Sequence, residues 1–473
     1  MLLCSSIIFY GFWRFDFIPV LFMSVVVDYF AALGIDKSQT KLKKNIFLTC
    51  SIIANLGLLI YFKYTIFILE NINILSLGLG GESVSIPRDI ILPLGLSFYT
   101  FQSMSYTIDV YRGFIKPERN FILFADYVLF FPQLVAGPIL RAREVLTQLR
   151  HRVPFSWDNI AYGVRRILIG LFLKVYLADH VGKMVDYTFS VPAASLNAFD
   201  TWTMSFLFGL QIYFDFSAYS HIAIGSARLM GIEFPENFNF PYSATSPRDF
   251  WKRWHISLSS WIRDYLYLPL CHQTVRDSSL GGIGSATNLG NKSSGRSTVA
   301  LFATWIIMGL WHGSNWTFAL WGLWHATLVF LGRIFSRLKL SSLLGGIFSW
   351  LCTIPLVMLG WIAFRAPTLA DCLMLWKRTI MPSAYFDPNA LSKSSGKLLG
   401  FLQLSFDLDY YLTAMSLTLA TLFAGYVAKN ILPFFAKKMY SIFFLGETIS
   451  YSIIFALGYV YLEDSNVFVY FQF

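Results

Sequence analysis

The chain has 473 residues, of which 56% are hydrophobic and 18% aromatic, whereas only 14% carry charge. Apolar runs of bilayer-spanning length recur along the sequence, which excludes an ordinary soluble enzyme and predicts an all-α polytopic integral membrane protein. The net charge of +10 does not predict nucleic-acid binding. The Lys and Arg residues lie in short loops between apolar segments, where cytoplasm-facing loops and anionic membrane lipid account for them.

The apolar segments predict about 11 transmembrane or re-entrant helices. They cover residues 15–35, 46–69, 90–108, 121–139, 161–179, 202–224, 298–312, 316–332, 341–364, 410–428 and 441–462. Three of them are interrupted, by Gly95, by Gly137–Pro138 and by Gly313. Such breaks survive at membrane depth only where the loosened backbone is buried in protein or lines a cavity. We therefore expect several segments to be re-entrant.

Four polar connections look soluble, at residues 70–88, 141–158, 272–297 and 377–407. None is long enough for a separate domain, so we predict one transmembrane domain over residues 1–473. Basic residues set the expected orientation, because Lys and Arg are concentrated in cytoplasmic loops. They predict a cytoplasmic location for the lysine loop (Lys37, Lys41, Lys43 and Lys44), for Arg333, Arg337 and Lys339, and for Arg141, Arg143, Arg150 and Arg152.

His312 closes a strongly apolar run, between Trp311 and Gly313. An ionisable ring at membrane depth is a functional-site hypothesis by default. His325 follows 13 residues later and on a continuous helix would point nearly the opposite way, so the two rings do not form a simple metal pair. Carboxylates are few nearby and the cysteines are scattered, so we predict no metal site.

The stretch from Ser246 to Leu270 predicts an amphipathic helix. Ser246 suits the N-cap, Pro247 the first turn, and Asp249 the capping-box position. At about 100° per residue, one face is apolar and the other polar. The apolar face collects Trp251, Trp254, His255, Leu258, Trp261, Ile262, Tyr265 and Leu266, whereas Lys252, Arg253, Arg263 and Asp264 tend toward the other faces. An interfacial helix is the simple interpretation, but His255 favours a polar cavity shared with His312.

The remaining histidines divide into two kinds. His221 follows a polar patch at the end of an apolar span, whereas His151, His180 and His272 fall at loop ends and are expected at the surface. The chain has no nucleophile elbow, phosphate loop or zinc signature. General base catalysis by a neutral imidazole, which takes the proton from an acceptor hydroxyl attacking a thioester, remains the favoured chemistry.

Nearly the whole chain resembles the membrane-bound O-acyltransferase family, in particular its branch that O-acetylates cell-surface glycans such as alginate. The stretches that carry the resemblance are Asn55–Gly57, Tyr61–Tyr64, Leu92–Gln102, Phe130–Ile139, Tyr213–Ser217, Pro235–Phe238, Phe250–Ser259, Gly309–Gly313 and Tyr470–Phe473. Together these motifs are highly specific, although each alone is weak.

The resemblance implies that His312 stands at the family's catalytic histidine and His255 at its second active-site histidine. It also implies a bowl-like helical fold with a central tunnel, and a family core at about residues 90–365. We expect the polar and aromatic neighbours in these motifs to bind substrate, namely Trp311, Asn315, Trp254, Arg253, Ser257 and Asp215.

The function so implied is O-acetyl transfer in the bacterial inner membrane. The donor is expected to be acetyl-CoA or another cytoplasmic acyl thioester, with no bound cofactor. The acceptor is expected to be a hydroxyl of an extracytoplasmic glycan or an SGNH-type acetyltransferase partner. Two alternatives remain open: D-alanyl transfer to teichoic acid from a carrier protein, and a transporter or flippase, for which no inverted repeat is apparent.

Two departures from the family pattern stand out. Members usually open with one more hydrophobic segment before the stretch that resembles Leu3 to Trp13, so we expect either that this chain is shortened at its start or that its true start lies upstream. The family's polar patch usually ends in Tyr-Ser-Asp, where this chain has Tyr219-Ser220-His221. The second departure exchanges an acid for a base, and the local hydrogen bonding is expected to differ.

Overall fold

The computed structural model describes residues 1–151, 154–273, 294–337 and 345–385, with residues 416 and 419–421. Within these ranges the regular structure is helical, without strands, which confirms the predicted all-α class. The described residues of Met1–Ile167, Tyr219–Glu236 and Ser260–Asn288 form one compact unit, and those of Leu168–Ala218, Asn237–Ser259 and Leu289–Phe473 form another. We refer to them as the first and the second unit.

Eighteen α-helices are described below by their bounds. The first ten are α1 (Leu2–Trp13), α2 (Ile18–Lys37), α3 (Lys41–Leu59), α4 (Thr65–Gly78), α5 (Leu96–Tyr111), α6 (Phe121–Leu129), α7 (Phe131–Leu134), α8 (Ala142–Arg150), α9 (Trp157–Leu171) and α10 (Asp179–Ser190). The others are α11 (Ala198–Leu229), α12 (Pro247–Trp251), α13 (Ile256–Ile262), α14 (Leu268–Leu270), α15 (Ser294–His312), α16 (Trp316–Arg337), α17 (Gly345–Arg365) and α18 (Leu369–Ile380). Short π-helical turns at Ile60–Tyr64, Phe172–Ala178 and Arg263–Tyr267 join consecutive α-helices.

Four helical stretches in the described part of the chain are long and apolar enough to cross a membrane. They are Phe15–Lys37, Lys41–Gly78, Trp316–Ser336 and Gly345–Arg365. These stretches support the predicted polytopic class. The segment predicted at 121–139 is instead divided into the short helices α6 and α7. The segments predicted at 410–428 and 441–462 lie outside the described residues, apart from a few positions.

The three predicted helix breaks are confirmed. Gly95 precedes α5 with a φ of 73°, and a Cβ at this position would overlap the carbonyl oxygen of Leu134. Only glycine combines that backbone conformation with so close an approach. Gly137–Pro138 follows α7, and α15 ends at His312 immediately before Gly313.

All four connections that look soluble in the sequence contain helical residues, since 70–88 includes the end of α4 and 272–297 the start of α15. Residues 141–158 include α8, and the segment 377–407 begins inside α18. Both helices are strongly amphipathic, and α8 buries only Ala142, Val145 and Leu146. A helix with so narrow an apolar face has the composition of a polar connection, so the polar character of these stretches does not exclude helix.

A buried carboxylate joins three helices of the first unit. Asp28 on α2 accepts hydrogen bonds from the hydroxyls of Ser51 and Ser103, from Asn55 Nδ2 at 2.8 Å, and from Thr107 Oγ1 at 3.2 Å. These donors lie on α3 and α5. A buried polar group must be hydrogen-bonded to avoid a large desolvation penalty. Four neutral donors meet that requirement here.

Candidate active site

His312 is the last residue of α15, in a tight helical hairpin of the second unit. A Cβ at Gly309 would overlap the carbonyl oxygen of Phe318, and one at Gly322 would overlap that of Trp305. The absence of side chains at these two glycines lets the backbones of α15 and α16 approach closely, as small residues do between membrane helices. The hairpin therefore holds the end of α15 against the start of α16.

Aromatic rings surround His312. Its imidazole is 8% exposed, with ring centroids 4.8 Å from Trp311, 5.1 Å from Trp321 and 5.2 Å from Phe364. All three rings are arranged edge to face with the imidazole. The predicted place of His312 at a helix end is confirmed, because α15 ends there. The cavity that it was predicted to face and the binding of substrate by Trp311 stay predictions.

The position of His312 suits a group that acquires positive charge. The carbonyl groups at the end of α15 give that end a partial negative charge, which stabilises a cation in the last turn. Aromatic faces attract cations as well. The helix end therefore stabilises an imidazole that accepts a proton here.

The predicted continuous helix from Ser246 to Leu270 is wrong at its centre. Its start is confirmed, because Ser246 Oγ accepts a hydrogen bond from the Asp249 amide at 3.1 Å. The helix stops at Trp251, and α13 begins only at Ile256. Between them His255 adopts a φ of 42°, a left-handed conformation that interrupts a right-handed helix. For a residue other than glycine this conformation costs of order 1–3 kcal/mol and persists only when its surroundings enforce it.

Asn237 supplies these surroundings. Its main-chain oxygen accepts from the Ile256 amide at 2.9 Å, and its Oδ1 lies 2.9 Å from Ser257 Oγ and 3.2 Å from His255 Nδ1. Oδ1 also accepts from the Ser257 amide at 3.3 Å. Because Oδ1 is an acceptor, the histidine proton lies on Nδ1, and Nε2 is the basic nitrogen of the ring.

His255 is neutral at physiological pH. It lies outside the four candidate spans, and burial lowers its pKa to about 3 because a buried ring loses the solvation of its charged form. The structure thus brings together His255, Ser257 and Asn237 in one hydrogen-bonded group. Ser257 was predicted from the motif, whereas Asn237 was not, although the stretch Pro235–Phe238 that contains it was recognised.

Aromatic contacts continue from His255 toward His312 within the second unit. Trp254, next to His255, has its ring centroid 4.9 Å from that of Trp361. Trp361 in turn contacts Phe364 at 5.7 Å, and Phe364 contacts His312 at 5.2 Å. The shared cavity for His255 and His312 stays a prediction, but the two residues are linked by packed rings.

A third histidine that sequence reasoning set aside lies among the same rings. His325 is fully buried, and its Nδ1 accepts a hydrogen bond from Trp251 Nε1 at 3.3 Å. Its ring centroid is 4.9 Å from that of Trp321, the ring that also contacts His312. The helical spacing had placed His312 and His325 on opposite sides of one helix. The break at Gly313 allows one tryptophan to contact both rings.

Two predicted substrate-binding residues are engaged in local structure. Asn315 begins α16, where its Oδ1 accepts from the Thr317 amide at 3.0 Å. Arg253 pairs with Asp249 at 3.0 Å and donates to the main-chain oxygen of Asn239 at 3.3 Å. Contact of either side chain with substrate stays a prediction.

Asp215 belongs to a buried ion cluster. Lys174 Nζ lies 2.9 Å from Asp215 Oδ1 and 2.8 Å from Asp179 Oδ1. All three side chains are buried, and Lys174 lies in the π-helical turn Phe172–Ala178. Buried charges are tolerated only when paired. The role of Asp215 in substrate binding stays a prediction.

The other histidines lie where their sequence context predicted. His151, His180 and His272 are exposed, which confirms the surface interpretation. His221 is partly buried in α11 and interacts electrostatically with Arg166. Arg166 itself makes two hydrogen bonds to Glu236, at 2.7 and 2.8 Å.

Comparisons with known proteins identify the family of the chain. The model of the membrane-bound O-acyltransferase family matches residues 118–284. The chain is 38% identical over 370 residues to the probable alginate O-acetylase of Azotobacter vinelandii, covering 78% of this chain and 70% of the relative. It is 35% identical over 404 residues to the peptidoglycan O-acetyltransferase of Helicobacter pylori, covering 80% and 72%.

A more distant relative is the teichoic acid D-alanyltransferase of Bacillus subtilis. It is 28% identical over 255 residues, covering 53% of this chain and 61% of the relative. The similarity to the two acetyl-transferring proteins extends over most of this chain. The chain belongs to the membrane-bound O-acyltransferase family and is a membrane O-acyltransferase.

Proposed function

We propose that this enzyme transfers an acetyl group from a cytoplasmic thioester donor, acetyl-CoA, to a hydroxyl of a cell-surface glycan or of a partner transferase, with His312 as general base. The observation that carries the proposal is the position of His312 at the end of α15, inside an aromatic shell. A neutral imidazole in that position can accept the hydroxyl proton while the oxygen attacks the thioester carbonyl.

The chemical step exchanges the thioester bond of the donor for an ester bond to the acceptor. As the acceptor oxygen forms its bond to the carbonyl carbon, the imidazole takes the hydroxyl proton. The carbon–sulfur bond then breaks, and the imidazolium returns the proton to the departing thiolate. His255, with its basic Nε2 set by Asn237, is proposed to orient the acceptor hydroxyl.

Similarity supports an acetyl group over a D-alanyl group. The acetyl-transferring relatives match at 38% and 35% identity over 78% and 80% of this chain. The D-alanyl-transferring relative matches at 28% over 53%. Membership of an acyltransferase family leaves the transporter or flippase alternative without support.

The glycan is proposed to be alginate, peptidoglycan or a related extracytoplasmic polymer, as the names of the relatives suggest. The enzyme is proposed to lie in the inner membrane, with the lysine loop facing the cytoplasm. An extracytoplasmic partner, such as an SGNH-type transferase, is proposed to complete the reaction. The longest non-apolar stretches, Cys271–Ser297 and Lys377–Asp409, which lie largely outside the described residues, are too short for an independent polymer-binding domain.

Replacement of His312 tests the mechanism. His312→Ala and His312→Gln are expected to lower acetyl transfer from acetyl-CoA by ~10²–10⁴, measured on purified protein in lipid discs with a small hydroxyl acceptor. The matched control is His151→Ala, because His151 is exposed, and this variant is expected to keep full activity. Near-normal turnover by a folded His312→Ala enzyme would remove His312 from the mechanism.

A further inference from the structure

Four arginines gather at one place in the first unit, and we name them the arginine cluster: Arg112, Arg141, Arg143 and Arg263. Arg112, Arg141 and Arg263 share Asp264 as a neighbour, and Arg143 acts electrostatically on Asp109 and Tyr265. Arg141 Nη2 lies 2.6 Å from Asp264 Oδ2, and Arg263 Nε lies 2.6 Å from Asp264 Oδ1. Arg112 donates from both Nη atoms to the main-chain oxygen of Asp264, at 3.3 Å each. Asp264 was predicted to lie off the apolar face together with Arg263, and it is buried among arginines.

Tyr265 adds a second support. The guanidinium carbons of Arg112 and Arg141 lie 5.2 and 5.4 Å from its ring centroid, within range of a cation–π interaction. Its hydroxyl hydrogen-bonds to Asp109, on which Arg143 acts electrostatically. Arg112 and Arg141 are thus held in fixed orientations.

The carboxylates do not balance the arginines. Asp109 and Asp264 are buried within the cluster, and the exposed Glu144 acts on Arg141 from the first turn of α8. Four guanidiniums therefore face three carboxylates. Arg143 and Arg263 are only partly buried. A guanidinium has five N–H donors, so these two side chains keep donors for a ligand.

The cluster lies at the end of the first unit that carries the lysine loop. Tyr111, the last residue of α5, donates its hydroxyl to Asn45 Oδ1 at 2.7 Å. Asn45 is in the first turns of α3, directly after the lysine loop, and Arg112 follows Tyr111. By the distribution of basic residues, this end faces the cytoplasm, where the proposed donor is found.

We propose that the arginine cluster binds the phosphates of the acyl donor and thereby favours a nucleotide thioester over a carrier-bound one. The inference rests on the proposed thioester donor. Coenzyme A presents a 3′-phosphate and a diphosphate, whereas a carrier-bound phosphopantetheine arm presents one phosphodiester. Guanidiniums bind phosphate oxygens through paired, charge-assisted hydrogen bonds. Because the arginine side chains are already oriented before the ligand binds, the entropic penalty of binding is lower.

Donors that differ in phosphate content test the proposal. Arg143→Gln and Arg263→Gln leave the buried Arg141–Asp264 pair intact. Each substitution is expected to raise KM for acetyl-CoA about tenfold, as for loss of one charge-assisted hydrogen bond, with kcat little changed. KM for acetyl-dephospho-CoA is expected to rise less in at least one variant, and KM for S-acetylpantetheine, which has no phosphate, is expected to stay unchanged. Arg14→Gln is the matched control, because Arg14 lies outside the cluster in an exposed ion pair with Asp16.

Lipid phosphate is the other source of the same chemistry, so the assay is run in phosphatidylcholine discs with and without phosphatidylglycerol. An arginine effect confined to phosphatidylglycerol discs, with KM for acetyl-CoA unchanged in phosphatidylcholine, would overturn the proposal. Equal KM values for all donors in all variants would overturn it too. Calorimetric binding of coenzyme A separates this inference from the acetyltransferase proposal. About tenfold weaker binding by the variants supports the site even if no thioester is consumed.

Discussion

The histidine region of the second unit (His255, His312, Trp321, Trp361 and Phe364) and the arginine cluster of the first unit handle ionisable groups in opposite ways. The contacts described for His312 are with aromatic rings, whereas Arg141 is paired with a buried carboxylate. Imidazole changes its charge near neutral pH, while guanidinium is permanently charged. An imidazole among aromatic rings can gain and lose a proton, whereas a guanidinium paired with a carboxylate keeps its charge and its position. The first arrangement suits chemistry, and the second suits binding.

The largest predicted effect is the loss of stability when one member of the buried Arg141–Asp264 pair is removed. The Arg141 and Asp264 side chains are 8% and 1% exposed. Arg141→Ala leaves the carboxylate partly uncompensated and is expected to lower the free energy of unfolding by about 3–5 kcal/mol, measured by denaturant unfolding in detergent.

The double variant Arg141→Ala/Asp264→Ala is its control, because removal of both charges should restore much of the lost stability. If the single variant is as stable as the parent, the pair does not compensate a buried charge. The contrast between the two regions would then lose its energetic basis.

The second predicted effect is a loss of turnover when Asn237, which hydrogen-bonds to His255, is replaced. Asn237→Leu removes the oxygen that accepts from His255 Nδ1 and from Ser257. Turnover per folded enzyme is expected to fall by ~10², since small misplacements of a catalytic group have effects of this size. The measurement is acetyl transfer normalised to folded protein, determined by size-exclusion chromatography.

Asn239→Leu is the matched control, because Asn239 is the same residue type two positions away and is exposed. It is expected to keep parental turnover. Equal activity of both variants would show that His255 does not need Asn237, and the histidine region would then lack the polar support inferred for it.

The smallest predicted effect is a loss of stability when the packing around His325 is disturbed. An added Cβ at Gly360 would lie 2.8 Å from His325 Nε2. Gly360→Ala should therefore displace the His325 ring and destabilise the protein by about 1–3 kcal/mol, as overpacking does. Thermal unfolding in detergent measures it.

Gly346→Ala in the same helix is the control, because its Cβ would meet no atom within 4 Å. A helix gains up to ~1 kcal/mol from this exchange. Equal unfolding temperatures for the two variants would mean that the rings around His325 are loosely packed.

Local signals in the sequence predicted much of the fold. The cap at Ser246, the breaks at Gly95 and Gly313, and the place of His312 at a helix end depend on neighbouring residues, so a single sequence contains them. Contacts between distant segments were not predictable in this way. The left-handed backbone of His255 depends on Asn237, and the burial of Asp264 depends on Arg141. Helical periodicity assumes a continuous helix and therefore fails where a distant contact interrupts it.

The site residues show the same division. The motif stretches identified His255, His312 and Ser257, whereas His325 was set aside because a straight helix would direct it away from His312. Asn237 carried a usable signal: a polar residue between Pro235 and Phe238 in a recognised stretch. The sequence could not show that Asn237 hydrogen-bonds to His255, since this contact requires the left-handed backbone turn at His255, which forms only in the folded chain.

The positive φ of His255 also limits which residues can replace it. Left-handed backbone is tolerated by glycine and, among residues with side chains, best by asparagine, aspartate and histidine. Alanine at 255 would add backbone strain to the loss of the imidazole, so its phenotype would mix two causes. Asparagine keeps the conformation and offers an amide in place of the ring. Position 255 is thus restricted twice, by the backbone that it occupies and by the orienting role proposed for its imidazole.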